Sequence, residues 1–320
     1  MKPLIRLLTG AALGLLAVVV VLAMVPRAEE RRLATLKGDG LRLAVLYNRT
    51  RTDPRPVDVA FFGSSHTVNG IDDAGLEADL AARHLPVKVA NMGMFVMGRD
   101  LQYRLVRQLF TYRRPRLVVL EINEHVAPLN HPYMPYVGQA SDLLACGPTG
   151  NLPTMGLLFL KQQWLGLTDA LLPARAPLPT LPQAPYGWQP LFGVWSGQAN
   201  PPSFGDKLER IAGKTARMRL YRATDYYEDC QVARIANLVR ARGARLMFLY
   251  LPEYKYAADP DPGLIARYSR WGQVIVVPRD IAEDRSDWAD HAHLNHTGSE
   301  ALRAALDGPL ASALTPLQSH

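Results

Sequence analysis

Apolar residues along this chain gather in short continuous runs, separated by longer stretches with helical period. The runs cover 57–62, 87–91, 115–123, 246–251 and 274–277. Each is too short for a buried helix and rich in residues that favour extended backbone, so each predicts a strand. The intervening stretches 73–84, 99–113, 225–242 and 297–312 predict helices. In the second, Leu101, Leu105, Leu109 and Tyr112 share one face; in the third, Val232, Ile235, Leu238 and Val239 do. The last opens on Thr297-Gly298-Ser299-Glu300, a capping-box pattern. Strands that are apolar on both faces and alternate with helices predict a parallel sheet covered on both sides, a three-layer α/β/α sandwich. Reactive groups in such sheets collect at the carboxyl ends of the strands. Ser65, Gly93 and Asn123 are thereby expected on one edge.

Two regions break the alternation. Residues 4–25 are apolar apart from Arg6 and Thr9, and Lys2 and Arg6 lie at their start. The run is long enough to cross a bilayer as a helix, and no small-x-small cleavage site follows it clearly. It predicts an uncleaved single-pass anchor over 1–28 with its N-terminus in the cytoplasm. The body of the chain would then lie on the far side of a bacterial inner membrane. Residues 29–56, closed by Pro54 and Pro56, read as a juxtamembrane helix and linker ahead of a domain over 57–320. The second irregular region, about 128–206, holds about half of the prolines, with Trp164, Trp188 and Trp195. It is too aromatic for a disordered linker. It reads as an insertion, either a lid or partner-binding surface over the sheet edge or a structural elaboration.

Composition changes this picture little. The 320 residues, 48% of them hydrophobic, suffice for one large domain or two small ones. The formal charge of +7 is spread over scattered arginines without a nucleic-acid-binding motif, so no nucleic-acid partner is implied. A basic surface suits a membrane face or an anionic glycan. Cys146 and Cys230 fit no metal-ligand spacing; they are either a disulfide of an exported chain or two buried thiols.

Candidate chemistry sits at two places. Strand 57–62 stops at Gly63-Ser64-Ser65-His66, where a tight turn of small residues can present a hydroxyl nucleophile. Ser64 and His66 flank Ser65 and are candidates for substrate contact. Near the C-terminus, Asp290 precedes His293 by three residues, a spacing that lets a carboxylate hold an imidazole and so activate a serine. Two other readings compete. His291, His293 and His296 could supply metal ligands, which would leave the serine turn unexplained. Glu121 and Glu124 could form a glycosidase pair, but at a strand end they are expected to point to opposite faces.

Taken in order, these blocks resemble the SGNH (GDSL-like) hydrolase superfamily. Its marks are a Ser after a first-strand Gly (Gly63-Ser64-Ser65), a Gly after the second strand (Asn91-Met92-Gly93), an Asn after the third (Glu121-Ile122-Asn123-Glu124), and a D-x-x-H (Asp290-His291-Ala292-His293). Ser64 replaces the usual Asp, and E-I-N-E replaces G-x-N-D. In both it is similar to the membrane-anchored branch of teichoic-acid D-alanylation and alginate O-acetylation proteins. The resemblance implies a flavodoxin-like sandwich and no cofactor or metal. It implies Ser65 as nucleophile, His293 as base and Asp290 as its orienter, with the N–H groups of Ser65 and Gly93 and the Asn123 amide as oxyanion hole. It further implies a periplasmic esterase or O-acetyltransferase working on an envelope glycan, with possible polysaccharide-assembly partners. A non-catalytic binding or assembly protein that keeps the fold is the alternative.

Overall fold

The computed structural model describes residues 32–123, 130–147, 152–170, 187–197, 226–254 and 259–315, with six isolated positions between 6 and 17. The anchor expected over 1–28 lies for the most part outside the described residues. Among the described residues no helix is long and apolar enough to cross a membrane.

Five parallel strands form one sheet in the order β2-β1-β3-β4-β5. They are β1 (Val59–Phe62), β2 (Val89–Asn91), β3 (Leu117–Ile122), β4 (Arg245–Tyr250) and β5 (Gln273–Val276), within a few residues of the runs read from the sequence. This is the doubly wound order in which the chain reverses direction across the sheet between β1 and β3. Alternation along the strands explains why the runs are apolar throughout. Val59, Phe61, Leu117 and Val119 join the core on one face, while Ala60, Phe62, Val118 and Leu120 join the core on the other. Successive side chains of a strand point to opposite faces, so a sheet covered on both sides needs apolar residues at every position.

Helices supply the covering layers: α1 (Gly40–Thr52), α2 (Ser65–Gly70), α3 (Asp73–Ala82), α4 (Arg99–Tyr112), α5 (Met134–Val137), α6 (Ala140–Leu144), α7 (Leu152–Ala170), α8 (226–241), α9 (Pro262–Ser269), α10 (Arg279–Glu283) and α11 (His296–Leu314). The last helix begins one residue earlier than its sequence pattern suggests. Asn295, rather than a Thr297 box, caps it by accepting from the Gly298 N–H at 3.0 Å.

The expectation of a linker over 29–56 is corrected. Leu33, Leu36, Leu43, Ala44, Leu46 and Tyr47 are buried in the core beneath α4 and the insertion. Arg42 on α1 is also buried, and donates from Nε to the Gly93 carbonyl at 2.5 Å and from Nη1 to the Gly187 carbonyl at 2.8 Å. Burial lowers its guanidinium to about 10, opposed by the nearby Asp73 carboxylate, so it stays cationic at neutral pH. The sequence hid this because an amphipathic helix behind a charged run looks the same whether it packs on a domain or leads to one.

The insertion is ordered where it is described. Helices α5, α6 and α7 bury Met134, Val137, Leu143, Met155 and Phe159 in the α1 side of the core. Cys146 is disulfide-bonded to Cys230 on α8. Residues 187–197 form an extended strap. Its Gln189 N–H donates to Val68 O, its Leu191 carbonyl accepts from His296 N–H, and its Trp195 N–H donates to Trp288 O. The strap thus ties α2 to the segment that precedes α11.

Candidate active site

β1 delivers the serine turn. Ser64 caps α2, accepting from His66 N–H at 3.2 Å, and Ser65 is the first residue of that helix. The turn is held from below by Glu121 on β3, a carboxylate with no side-chain exposure. Glu121 accepts from Ser64 N–H (2.9 Å), Ser64 Oγ (2.7 Å), Thr67 N–H (3.0 Å) and Thr67 Oγ1 (2.5 Å). Gly63 is required here: a Cβ would overlap the Thr67 hydroxyl and the Glu121 carboxylate. The Ser64 hydroxyl is therefore committed to Glu121.

The histidine comes from the loop before α11. Asp290 Oδ1 accepts from the N–H groups of Ala292 (2.7 Å) and His293 (2.9 Å), closing a tight turn. Both carboxylate oxygens lie 2.9 Å from His293 Nδ1. With Nδ1 protonated toward Asp290, Nε2 is left as an acceptor, and Ser65 Oγ donates to it at 2.7 Å. Partial burial pushes the Asp290 carboxyl up, but the His293 ring and the two backbone N–H donors together outweigh it. The carboxyl is held well below the usual range. The three residues thus form one hydrogen-bonded chain built from β1 and a loop 228 positions away.

The other predicted site residues fall differently. Gly93 follows β2, and a Cβ there would come within 2.9 Å of Thr67 Cγ2, so its close approach to α2 needs glycine. Its N–H, expected in an oxyanion hole, instead donates to Asn91 Oδ1 at 3.1 Å. Asn123 is buried at the carboxyl end of β3, on the expected edge. His66 is buried, with its ring edge-on to that of His293 at 5.5 Å between centroids. Burial pushes its imidazole down, against the pull of Glu121 at 3.8 Å and with the push of His293. Its Nδ1 has no hydrogen-bond partner among the described residues.

The histidines do not converge. The His296 ring lies between Trp188 and Phe192, at 5.4 and 5.5 Å, and no group of three metal-ligating side chains occurs among the described residues. Glu124 lies outside the described residues, and Glu121 points beneath the serine turn.

Sequence reasoning missed two residues. Glu121 was legible only as half of a carboxylate pair. Asn91, wholly buried, donates from Nδ2 to the carbonyls of Thr67 (2.7 Å) and Ile71 (2.9 Å), fastening α2 to β2. Its position just before Met92-Gly93 was the only available signal.

No family model matches the chain, and no curated protein matches it. Among solved structures, a Bacteroides fragilis NCTC 9343 protein described as a "putative acylhydrolase" aligns at 11% identity with a TM-score of 0.38. The alignment covers 87% of this chain and 100% of that one.

Proposed function

We propose that this protein is an extracytoplasmic serine acyl esterase or O-acyltransferase acting on a cell-envelope glycan, with an acetyl group as the transferred acyl. The observation that carries this reading is the chain Ser65 Oγ–His293 Nε2–Asp290, with contacts of 2.7 and 2.9 Å. Ser65 Oγ attacks the acyl carbonyl as its proton passes to His293 Nε2. Asp290 stabilises the imidazolium that forms. The carbonyl oxygen becomes an oxyanion, for which the Ser65 N–H, at the start of α2, is a donor. The intermediate collapses, the alcohol leaves with the proton from His293, and Ser65 holds the acyl group as an ester. Water or a sugar hydroxyl then gives its proton to His293 and takes the acyl group, and the imidazolium returns a proton to the departing Ser65 Oγ.

The apolar run over 4–25 supports an anchor and an extracytoplasmic domain, and the Cys146–Cys230 disulfide is a feature of oxidising compartments. Fluorophosphonate labelling and aryl-acetate turnover, each with and without a glycan acceptor, test the reading. The expected result is labelling at Ser65 that is lost in Ser65→Ala together with turnover. Undiminished turnover in Ser65→Ala sinks it, and absence of labelling in the wild type returns the chain to a binding or assembly role. Acyl transfer that rises with acceptor at the expense of acid release identifies a transferase.

A further inference from the structure

The insertion carries an apolar stripe that the active site does not use. On α7, Thr154, Leu157, Lys161 and Trp164 are exposed and recur at helical spacing. Leu157 is 70% exposed and Trp164 58%, and Leu144 on the adjoining α6 is 61% exposed. The opposite face of α7 is buried through Met155 and Phe159. A helix with one face in a core and large apolar residues with a lysine on the other fits a water–lipid boundary, where tryptophan and the lysine stem are both at home.

The path of the chain says what covers this stripe. Arg32 is buried and donates from Nε to the Tyr136 carbonyl on α5 at 3.0 Å, and Leu33 and Leu36 are buried in the same core as α5 and α7. The chain therefore leaves the domain beside the insertion. Only six residues separate Arg32 from Val25, the end of the apolar run. Fully extended they reach about 25 Å. A domain of this length has a radius of gyration of about 18 Å, hence a width of roughly 45 Å. A bilayer holding the apolar run must lie close to the insertion rather than to the far side of the domain. As α7 is not apolar enough to span, a contact with that bilayer would run along its surface.

We propose that the Leu157–Lys161–Trp164 stripe of α7 docks on the lipid surface from which the chain emerges. The proposal rests on the anchor reading for residues 4–25. Every tryptophan of the chain lies at or after position 164, so tryptophan emission reports on the domain alone. The full chain is reconstituted in phosphatidylcholine–phosphatidylglycerol vesicles whose acyl chains carry bromine near the headgroup. Bromine should quench part of the emission, and that part should vanish in Trp164→Phe. Leu157→Asp, at an exposed position, should also abolish it while keeping the wild-type circular dichroism. Equal fractional quenching in wild type and Trp164→Phe overturns the proposal. So does a Trp164 emission that responds to protein-to-lipid ratio but not to bromine, which assigns the stripe to a second copy. Alkaline extraction of the same vesicles tests the anchor separately. A retained chain with unquenched Trp164 overturns the docking surface and spares the anchor, and an extracted, unquenched chain overturns both. An extracted chain with quenched Trp164 overturns the anchor reading and, with it, the proposal that α7 docks where the chain emerges.

Discussion

The two halves of the candidate site are held in different ways. The nucleophile turn is fixed from a distance: Ser64 and Thr67 donate to Glu121, 54 to 57 positions away on β3, and Asn91 on β2 fastens the far end of α2. The base loop is fixed mainly by its own near neighbours, with Trp195 N–H and Tyr254 N–H donating to Trp288 O and His291 O from outside. Asp290 accepts from residues two and three positions on, Ala289 N–H donates to His293 O, and Asn295 N–H donates to Asp287 O. The carboxylates differ accordingly: Glu121 is fully enclosed, whereas the Asp290 side chain is 44% exposed. A buried carboxylate surrounded by donors acts on backbone placement, while a half-exposed one beside an imidazole acts on its tautomer and charge.

Five substitutions sharpen this contrast. The largest effect on activity belongs to the base loop. Asp290→Asn should lower turnover about 10⁴-fold, through the wrong imidazole tautomer, while leaving thermal stability nearly unchanged. A comparable fall in melting temperature would mean that the loop is not self-supporting. The nucleophile half should respond in the opposite proportion. Glu121→Ala leaves the buried N–H groups of Ser64 and Thr67 without an acceptor, and should cost about 3 kcal/mol of stability or more, read by urea unfolding. Glu121→Gln should lose less stability and should lower kcat more than it raises KM, because the hydroxyl and N–H of Ser65 are displaced without loss of substrate contacts. An unchanged kcat would confine Glu121 to stability.

A third polar cluster serves as a control, because its titration lies apart from both halves. Asp100 on α4 accepts from Asn130 Nδ2 and from the His131 N–H. Burial raises its carboxyl to about 6, against those hydrogen bonds, and burial lowers the His131 imidazole to about 4. The raised carboxyl favours the fold in acid, and its contribution is lost as the pH rises through 6. The depressed imidazole favours the fold above about 6.5, and its contribution is lost as the pH falls through 4. In the wild type the two oppose each other. Asp100→Asn should unmask the histidine, so that stability falls by about 3 kcal/mol between pH 6.5 and 4. Equal urea midpoints at the two pH values in that variant would refute the assignment. The smallest effect returns to the base loop. Asn295→Ala removes the α11 cap and two further donor bonds, to the carbonyls of Gly193 and Ser286, and should cost about 2 kcal/mol, with turnover reduced only modestly.

The same contrast explains what could be read from the residues in order. The strands were legible because a doubly covered sheet demands unbroken apolar runs. Asp290 and His293 were legible as a pair because three-residue spacing is a local fact. Glu121, Asn91 and Arg42 were not, because each acts across more than 20 positions, and a polar residue in an apolar run carries no label for its distant partner. Gly93 shows the reverse case: its place in the order of motifs pointed to an oxyanion donor, yet its N–H is taken by Asn91 two residues earlier. The segment 29–56 shows a third: its helical pattern was visible, but only packing distinguishes a core helix from a tether.

By itself, then, the sequence determined the alternation of strands and helices, the parallel sheet, and the residues available for chemistry at its carboxyl edge. These follow from periodicity and local turn geometry, which act over a few residues. Tertiary structure alone decided that Ser65 Oγ and His293 Nε2 stand 2.7 Å apart, that Glu121 lies under the serine, and that Cys146 meets Cys230. It also decided that α1 and the strap close over the sheet. The physical reason is that side-chain hydrogen bonds and packing are made between elements, and their partners are fixed only when the sheet brings distant segments to one edge.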